Sequence, residues 1–113
     1  MKYVLFACTP VDGEEQDPAE TARDPRFTAY ADQVRGHGVP RSGARLRPPA
    51  DATTVRVRGD EVLLDDGPFT QSEQYVAGFD IVEAADLDEA IALASRHPAA
   101  LDGGSVEVRP VWE

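Results

Sequence analysis

The sequence has one cysteine, one methionine, one tryptophan and two histidines in 113 residues. A single thiol rules out an internal disulfide. Two isolated histidines and scattered acids give no metal-ligand spacing, so no metal is expected. Lysine occurs once, and the other ten basic residues are arginine. Against them stand 21 acids, for a net charge of -10. Such a surface repels nucleic-acid phosphates and anionic lipid heads, so neither nucleic acid nor membrane is an expected partner. No apolar run is long enough to span a bilayer. Residues 1–8 are too brief for a signal peptide and no small-residue cleavage site follows, so a cytoplasmic location is expected. A phosphate-binding loop, a dinucleotide fingerprint and a serine-nucleophile elbow are all missing, and no cofactor is expected.

The composition that remains, 42% hydrophobic and 28% charged, suits one globular domain over residues 1–113 with a modest core. Residues 2–8 read as a first strand with two apolar faces: Tyr3, Leu5 and Ala7 on one, Val4, Phe6 and Cys8 on the other. Residues 9–17 read as a loop, and Pro18 begins a single helical turn. Asp24 is a good cap for a first main helix with Pro25 at its first position. Phe27, Tyr30, Ala31 and Val34 then share one face. A second strand bends at Gly43. Residues 53–57 and 61–65 form a hairpin, and residues 76–83 a further strand. Asp86 and Glu89 open a second helix with Leu87, Ala90, Ile91 and Ala94 on one face, closed by His97-Pro98. Residues 105–109 alternate as a last strand.

This order predicts an α+β fold, a ferredoxin-like antiparallel sheet with two helices on one face. The apolar second side of the first strand then needs a cover. A second copy packing sheet to sheet, a homodimer, is the simplest cover, and the long loops are the alternative.

The chemistry concentrates in eleven residues, Asp65-Asp66-Gly67-Pro68-Phe69 followed by Thr70-Gln71-Ser72-Glu73-Gln74-Tyr75. Gly67 and Pro68 make a bend in which proline biases Gly67 toward extended backbone, and Phe69 is expected to plug the core. Asp66 either accepts backbone N–H groups in that bend or stands at a cavity rim as a general base. Asp65 and Asp66 are adjacent on a strand and point to opposite faces, so they form no dyad. Glu73 is either a second carboxylate or a solvated acid. Arg56 and Arg109 offer planar forks to a ligand carboxylate, or pair with the abundant acids. Tyr3 and Tyr30 either line a pocket or fill the core with a wet tip. His37 and His97 read as helix C-terminal caps, and Cys8 as core.

Six segments in register resemble the YciI-related family, and within it the branch with a DGPF motif. They are Met1-Lys2-Tyr3, Leu46-Arg47-Pro48-Pro49 with the following residues 52–56, Asp66-Gly67-Pro68-Phe69, Gly78-Phe79, Asp86-Leu87-Asp88-Glu89-Ala90, and residues 104–110. The resemblance implies a dimeric α+β barrel with a cavity between the sheet and its loops. It also implies that some relatives are cofactor-free enzymes, including a dehydrochlorinase of a chlorinated hydroxyquinol, that use a His-Asp pair, while others accompany sigma-factor regulators. This chain departs from the pattern at Gln71 and Ser72. It also lacks a histidine in the first half of the main helix, which counts against a His-Asp mechanism. Two functions are therefore expected. One is cofactor-free proton transfer, isomerisation or elimination on a small molecule, with Asp66 as the acid/base. The other is a non-catalytic module that binds a ligand or a protein for regulation.

Overall fold

The computed structural model describes residues 1–13 and 17–113, with the side chains of 37–41 outside the description. Six strands and four α-helices alternate as β1 (Lys2–Pro10), α1 (Pro18–Arg23), α2 (Pro25–His37), β2 (Gly38–Arg45), β3 (Thr53–Arg58), β4 (Glu61–Asp66), β5 (Gln74–Glu83), α3 (Leu87–Ala94), α4 (Pro98–Leu101) and β6 (Ser105–Pro110). Four of the strands form one antiparallel sheet in the order β2-β5-β1-β6, while β3 and β4 pair only with each other. The order of the large sheet is ferredoxin-like. The hairpin is an insertion between its second and third strands.

The expected barrel is not formed. The edges β2 and β6 do not pair, and the sheet stays open. Four strands are too few to curl into a closed barrel, which needs about eight to leave room for side chains inside. The expected two helices are also too few, and the prolines explain why. A proline ends a helix only where its missing N–H breaks a bond, and at the first helical position nothing is lost. Pro18 follows the cap Asp17, whose carboxylate accepts from the Ala19 N–H at 2.9 Å. Pro98 does not close a helix but opens α4, with His97 as its cap.

The core lies between the large sheet and α2 and α3. Tyr3, Leu5 and Val82 from the sheet pack with Tyr30, Ala90, Leu93 and Ala94 from the helices, and Val106 and Val108 flank them. In β1 alternation is visible in the burial: Tyr3, Leu5 and Ala7 are buried, and Val4, Phe6 and Cys8 are half-buried on the opposite side. The register carries that opposite side across the sheet, with Ile81 and Phe79 beside Val4 and Phe6. Gly43 sits opposite Asp80 on the edge strand β2, where a Cβ would collide with the Asp80 carboxylate and the Phe79 carbonyl. The bend expected there is thus a close approach of two backbones.

Arg26 ties the start of α2 to the turn after α4. It donates to both carboxylate oxygens of Asp102, at 2.8 and 2.7 Å, and to Asp24 at 2.9 Å. The guanidinium holds both carboxyls below the usual range. Because these folded values are depressed, their contribution is present above the unfolded carboxylate pKa and is lost as pH falls through the lower folded ones.

The buried face of α3 is rotated from the expected one. Leu93 is 4% exposed, whereas Leu87 and Ile91 are each 49% exposed. Leu93→Ala should therefore lower stability by about 2–5 kcal/mol, and Leu87→Ala by about 0.5 kcal/mol or less, as surface substitutions do. Urea unfolding of the two variants, followed by circular dichroism, checks this. Equal losses would mean that the helix packs on the Leu87 side instead.

Candidate functional site

The bend that interrupts the hairpin's exit is fixed by backbone bonds. Asp66 closes the β3–β4 ladder opposite Thr53. Gly67 then turns with φ +102°, a left-handed conformation open to glycine and strained for other residues, and not the extended one expected before proline. Its N–H donates to the Ala52 carbonyl at 2.8 Å, and its carbonyl accepts from the Thr54 hydroxyl at 2.7 Å. The mouth of the hairpin is therefore stitched shut from both sides of one residue. Phe69 does not plug the core. It is 78% exposed, because the left-handed turn at Gly67 sends the chain outward.

Beyond the bend the chain meets the end of β1. The Val11 N–H donates to the Glu73 carbonyl at 2.8 Å. The Ser105 hydroxyl donates to the Gln74 amide oxygen at 2.6 Å, and the Ser72 hydroxyl bonds the Gln74 carbonyl. These ties shape a cleft of about 940 Å³. Pro10, Val11 and Asp12 form one wall, Pro49 and Pro68 another, and residues 70–75 with Gly103 the rest. Among the described residues its charged lining is Asp12 and Glu73, with no lysine, arginine or histidine. The polar remainder is hydroxyl and amide groups of Thr70, Gln71, Ser72, Gln74 and Tyr75. Such a surface favours a cation or a hydroxyl-rich molecule and disfavours an anion.

The expected site residues divide. Pro68 and Glu73 line the cleft. Asp66 is exposed on the hairpin, outside the lining, and among the described residues no hydrogen bond reaches its carboxylate. Arg56 pairs with Asp65 at 2.7 Å. Arg109 pairs with Glu107 and lies 5.6 Å over the Phe6 ring. Neither arginine reaches the cleft. Tyr3 is core, with its hydroxyl directed at the Met1 sulfur. Cys8 is half-buried, and burial pushes its thiol up, away from a reactive thiolate. The His37 side chain falls outside the described residues.

Sequence reading missed a second cluster, in the core. The Tyr30 hydroxyl donates to the Asp80 carboxylate at 2.6 Å. The His97 ring stands edge-on to Tyr30, with centroids 4.5 Å apart, and edge-on to Phe27. His97 Nδ1 accepts from the Ala99 N–H at 2.9 Å, which requires that nitrogen to be unprotonated. Burial and the Asp80 bond raise the Tyr30 hydroxyl pKa, so it stays a donor. Burial lowers the His97 pKa, against the opposing pull of Asp80. The signal was the His-Pro pair itself, which marks a helix start as well as a stop.

An open ferredoxin-like sheet with one helical layer and an inserted hairpin defines a small α+β domain class. The YCII-related domain family matches residues 1–113, and the chain belongs to that family. Over 72 residues it is 38% identical to an uncharacterized protein of Rhizobium meliloti (strain 1021), a match that covers 60% of this chain. The matched part is 56% of that relative, so the chain spans about half of its length. No helix among the described residues is long and apolar enough to cross a membrane, and none of their His, Cys, Asp and Glu side chains cluster to hold a metal.

The sign of the His97 shift sets a pH dependence. The folded state holds the neutral ring, so stability is complete above the unfolded pKa of about 6.5 and declines as pH falls below it toward the lowered folded value. His97→Asn keeps a capping acceptor and removes the proton. Thermal melts between pH 7 and pH 5 should show a smaller loss for this variant than for the wild type. An identical decline in both proteins would assign the dependence to other groups.

Proposed function

We propose that this chain is a small-molecule-binding member of the YCII-related family, in the branch that carries the Asp66-Gly67-Pro68-Phe69 motif. It holds a cationic or polyhydroxylated ligand in the cleft beside Gly67-Pro68. The observation that carries this reading is the lining, where the acidic residues Glu73 and Asp12 stand with hydroxyl- and amide-bearing residues on a largely apolar surface, and among the described residues no basic one joins them. Of the two expected functions, binding fits better than acid/base catalysis by Asp66. A base has to reach the proton it takes, within hydrogen-bond distance or through one water. Asp66 is not among the lining residues, and the anion anchors first expected of Arg56 and Arg109 are spent on local ion pairs. The Gly67 bend then serves the site as a wall-builder, with Pro68 as its inner surface.

The working unit of this reading is a homodimer. What supports it is the sheet face opposite the helices, where Val4, Phe6, Phe79 and Ile81 are neither buried nor freely exposed. A second copy related by a two-fold axis covers such a face with an identical one.

Calorimetric titration with a panel of primary amines, polyols and carboxylates tests the ligand class. Amines or polyols should bind and simple carboxylates should not. A charge-assisted hydrogen bond is worth about 1.5–3 kcal/mol, so Glu73→Gln should weaken an amine by about ten- to a hundredfold. Preferential binding of carboxylates, unchanged in Glu73→Gln, would overturn the assignment.

A further inference from the structure

The chain exposes more surface than a finished monomer. A compact protein of 12.2 kDa exposes about 6,100 Å², and this one exposes 7992 Å². Its radius of gyration is 15.5 Å, against about 13 Å for a compact chain of this length. The β3–β4 hairpin contributes to this surplus, since among the described residues it packs extensively only strand on strand and at most lightly on the other strands and helices. Its ladder sets Val55 opposite Leu64 and Val57 opposite Val62, so all four side chains share one face. They are between 59% and 66% exposed. The other face carries Thr54, Arg56, Arg58, Glu61 and Asp65, a solvent-compatible set, with Leu63 as its one apolar member. An isolated two-stranded hairpin is marginal in water, and this one has an apolar side with nothing of its own chain to bury it against.

We propose that the hairpin is an arm that lays its Val55, Val57, Val62 and Leu64 face on a second copy of this chain. This rests on the dimer reading above and extends it. The occupant follows from area and supply. A stable interface removes about 800 Å² from each partner, and the sheet-face residues Val4, Phe6, Phe79 and Ile81 are already partly covered within one chain. The arm adds the missing apolar area. A face that needs cover from the moment of folding needs a partner made with it, and a second copy meets that condition.

The arm also connects the interface to the cleft. Pro49 and Pro68 flank its stem and form one cleft wall, and the Gly67 bonds to Ala52 and Thr54 make that stem rigid. Seating the arm on the second copy fixes this wall, so the cleft takes its binding shape in the dimer.

Val57→Lys with Leu64→Lys tests the arm, because both side chains are exposed within one chain and the fold does not depend on them. Val57→Thr with Leu64→Thr gives an uncharged, nearly isosteric second variant. Sedimentation over a dilution series should give twice the single-chain mass for the wild type. The dissociation constant should rise at least tenfold in the Lys variant and less in the Thr variant. Hydrogen exchange of the backbone amides in residues 69–75 should quicken in the same order. A wild type at single-chain mass at every concentration would overturn the dimer and the arm together. A wild-type dimer whose affinity survives both arm variants, but falls in Phe6→Lys, would overturn the arm and leave the sheet-face dimer standing. Dimer loss with unchanged exchange in residues 69–75 would overturn the coupling to the cleft.

Discussion

A sheet has two faces, and this chain supplies helices for one. Tyr3, Leu5 and Ala7 are buried beneath α2 and α3, while Val4, Phe6 and Cys8 on the same strand are left half-covered. The asymmetry is written in a single strand, and the rest of the molecule adapts to it. Arg109 lies over the Phe6 ring, where a cation on an aromatic face shields part of the apolar surface without burying its own charge. The cleft opens at the end of β1, where the strand leaves the protected side and its partners become loop residues. Charge follows the same division. The acids behind the net -10 are spread over loops, helices and strands outside the core cluster, which is apolar apart from the tyrosine hydroxyls.

Within that frame the Gly67 bend links local chemistry to overall shape. Two bonds converge on one residue, and they decide where the hairpin points and where residue 68 faces. The left-handed φ is a condition of both. With a side chain at 67 the turn would be strained by about 1 kcal/mol or more, and the wall made by Pro68 would shift with it. The motif thus acts through backbone geometry, and its acid, Asp66, ends a ladder instead of entering a site. The carboxylate that lines the cleft lies seven residues on, at Glu73.

Much of this was legible in the chain and some was not, for physical reasons. Alternation in β1, the Asp24-Pro25 start of α2 and the presence of the hairpin depend on neighbours within a few residues, and each was readable, although Arg58 belongs to β3 and not to the turn. The helix face Phe27, Tyr30, Ala31 and Val34 packs inward as its spacing required. Errors arose where a local signal had two solutions. Proline stops a helix or starts one, and Pro98 starts one. Leucine and isoleucine at helical spacing mark a core face only if a neighbour lies over them, and Leu87 and Ile91 have none in this chain. Glycine before proline reads as extended, yet the bonds to Ala52 and Thr54 select a left-handed turn at Gly67. Barrel closure depends on which strand edges meet, a long-range fact that no window of sequence carries. The cleft was foreshadowed by its polar run at 70–75, but the departure of Asp66 from it was not.

The cluster of buried Tyr30 with half-buried Asp80 and His97 shows why a histidine near an acid is not by itself a catalyst. Catalysis needs a proton that can leave and a group that can take it near neutral pH. Here Asp80 accepts the tyrosine proton in a hydrogen bond, and burial raises the Tyr30 pKa so that the proton stays. His97 offers Nδ1 to a backbone N–H, and its remaining nitrogen belongs to a ring packed edge-on against two aromatics. The Tyr30 proton goes to Asp80 and His97 Nδ1 caps the start of α4, so these contacts link α2, β5 and α4. The same three residue types with a solvent path and an unpaired nitrogen would form a proton relay; closed around a helix cap, they make a polar brace beneath the sheet. The hydrogen bonds of Tyr30 and His97 thus serve structure at the margin of the core. The chemistry that remains available to a ligand is that of the cleft, where the carboxylates still face solvent.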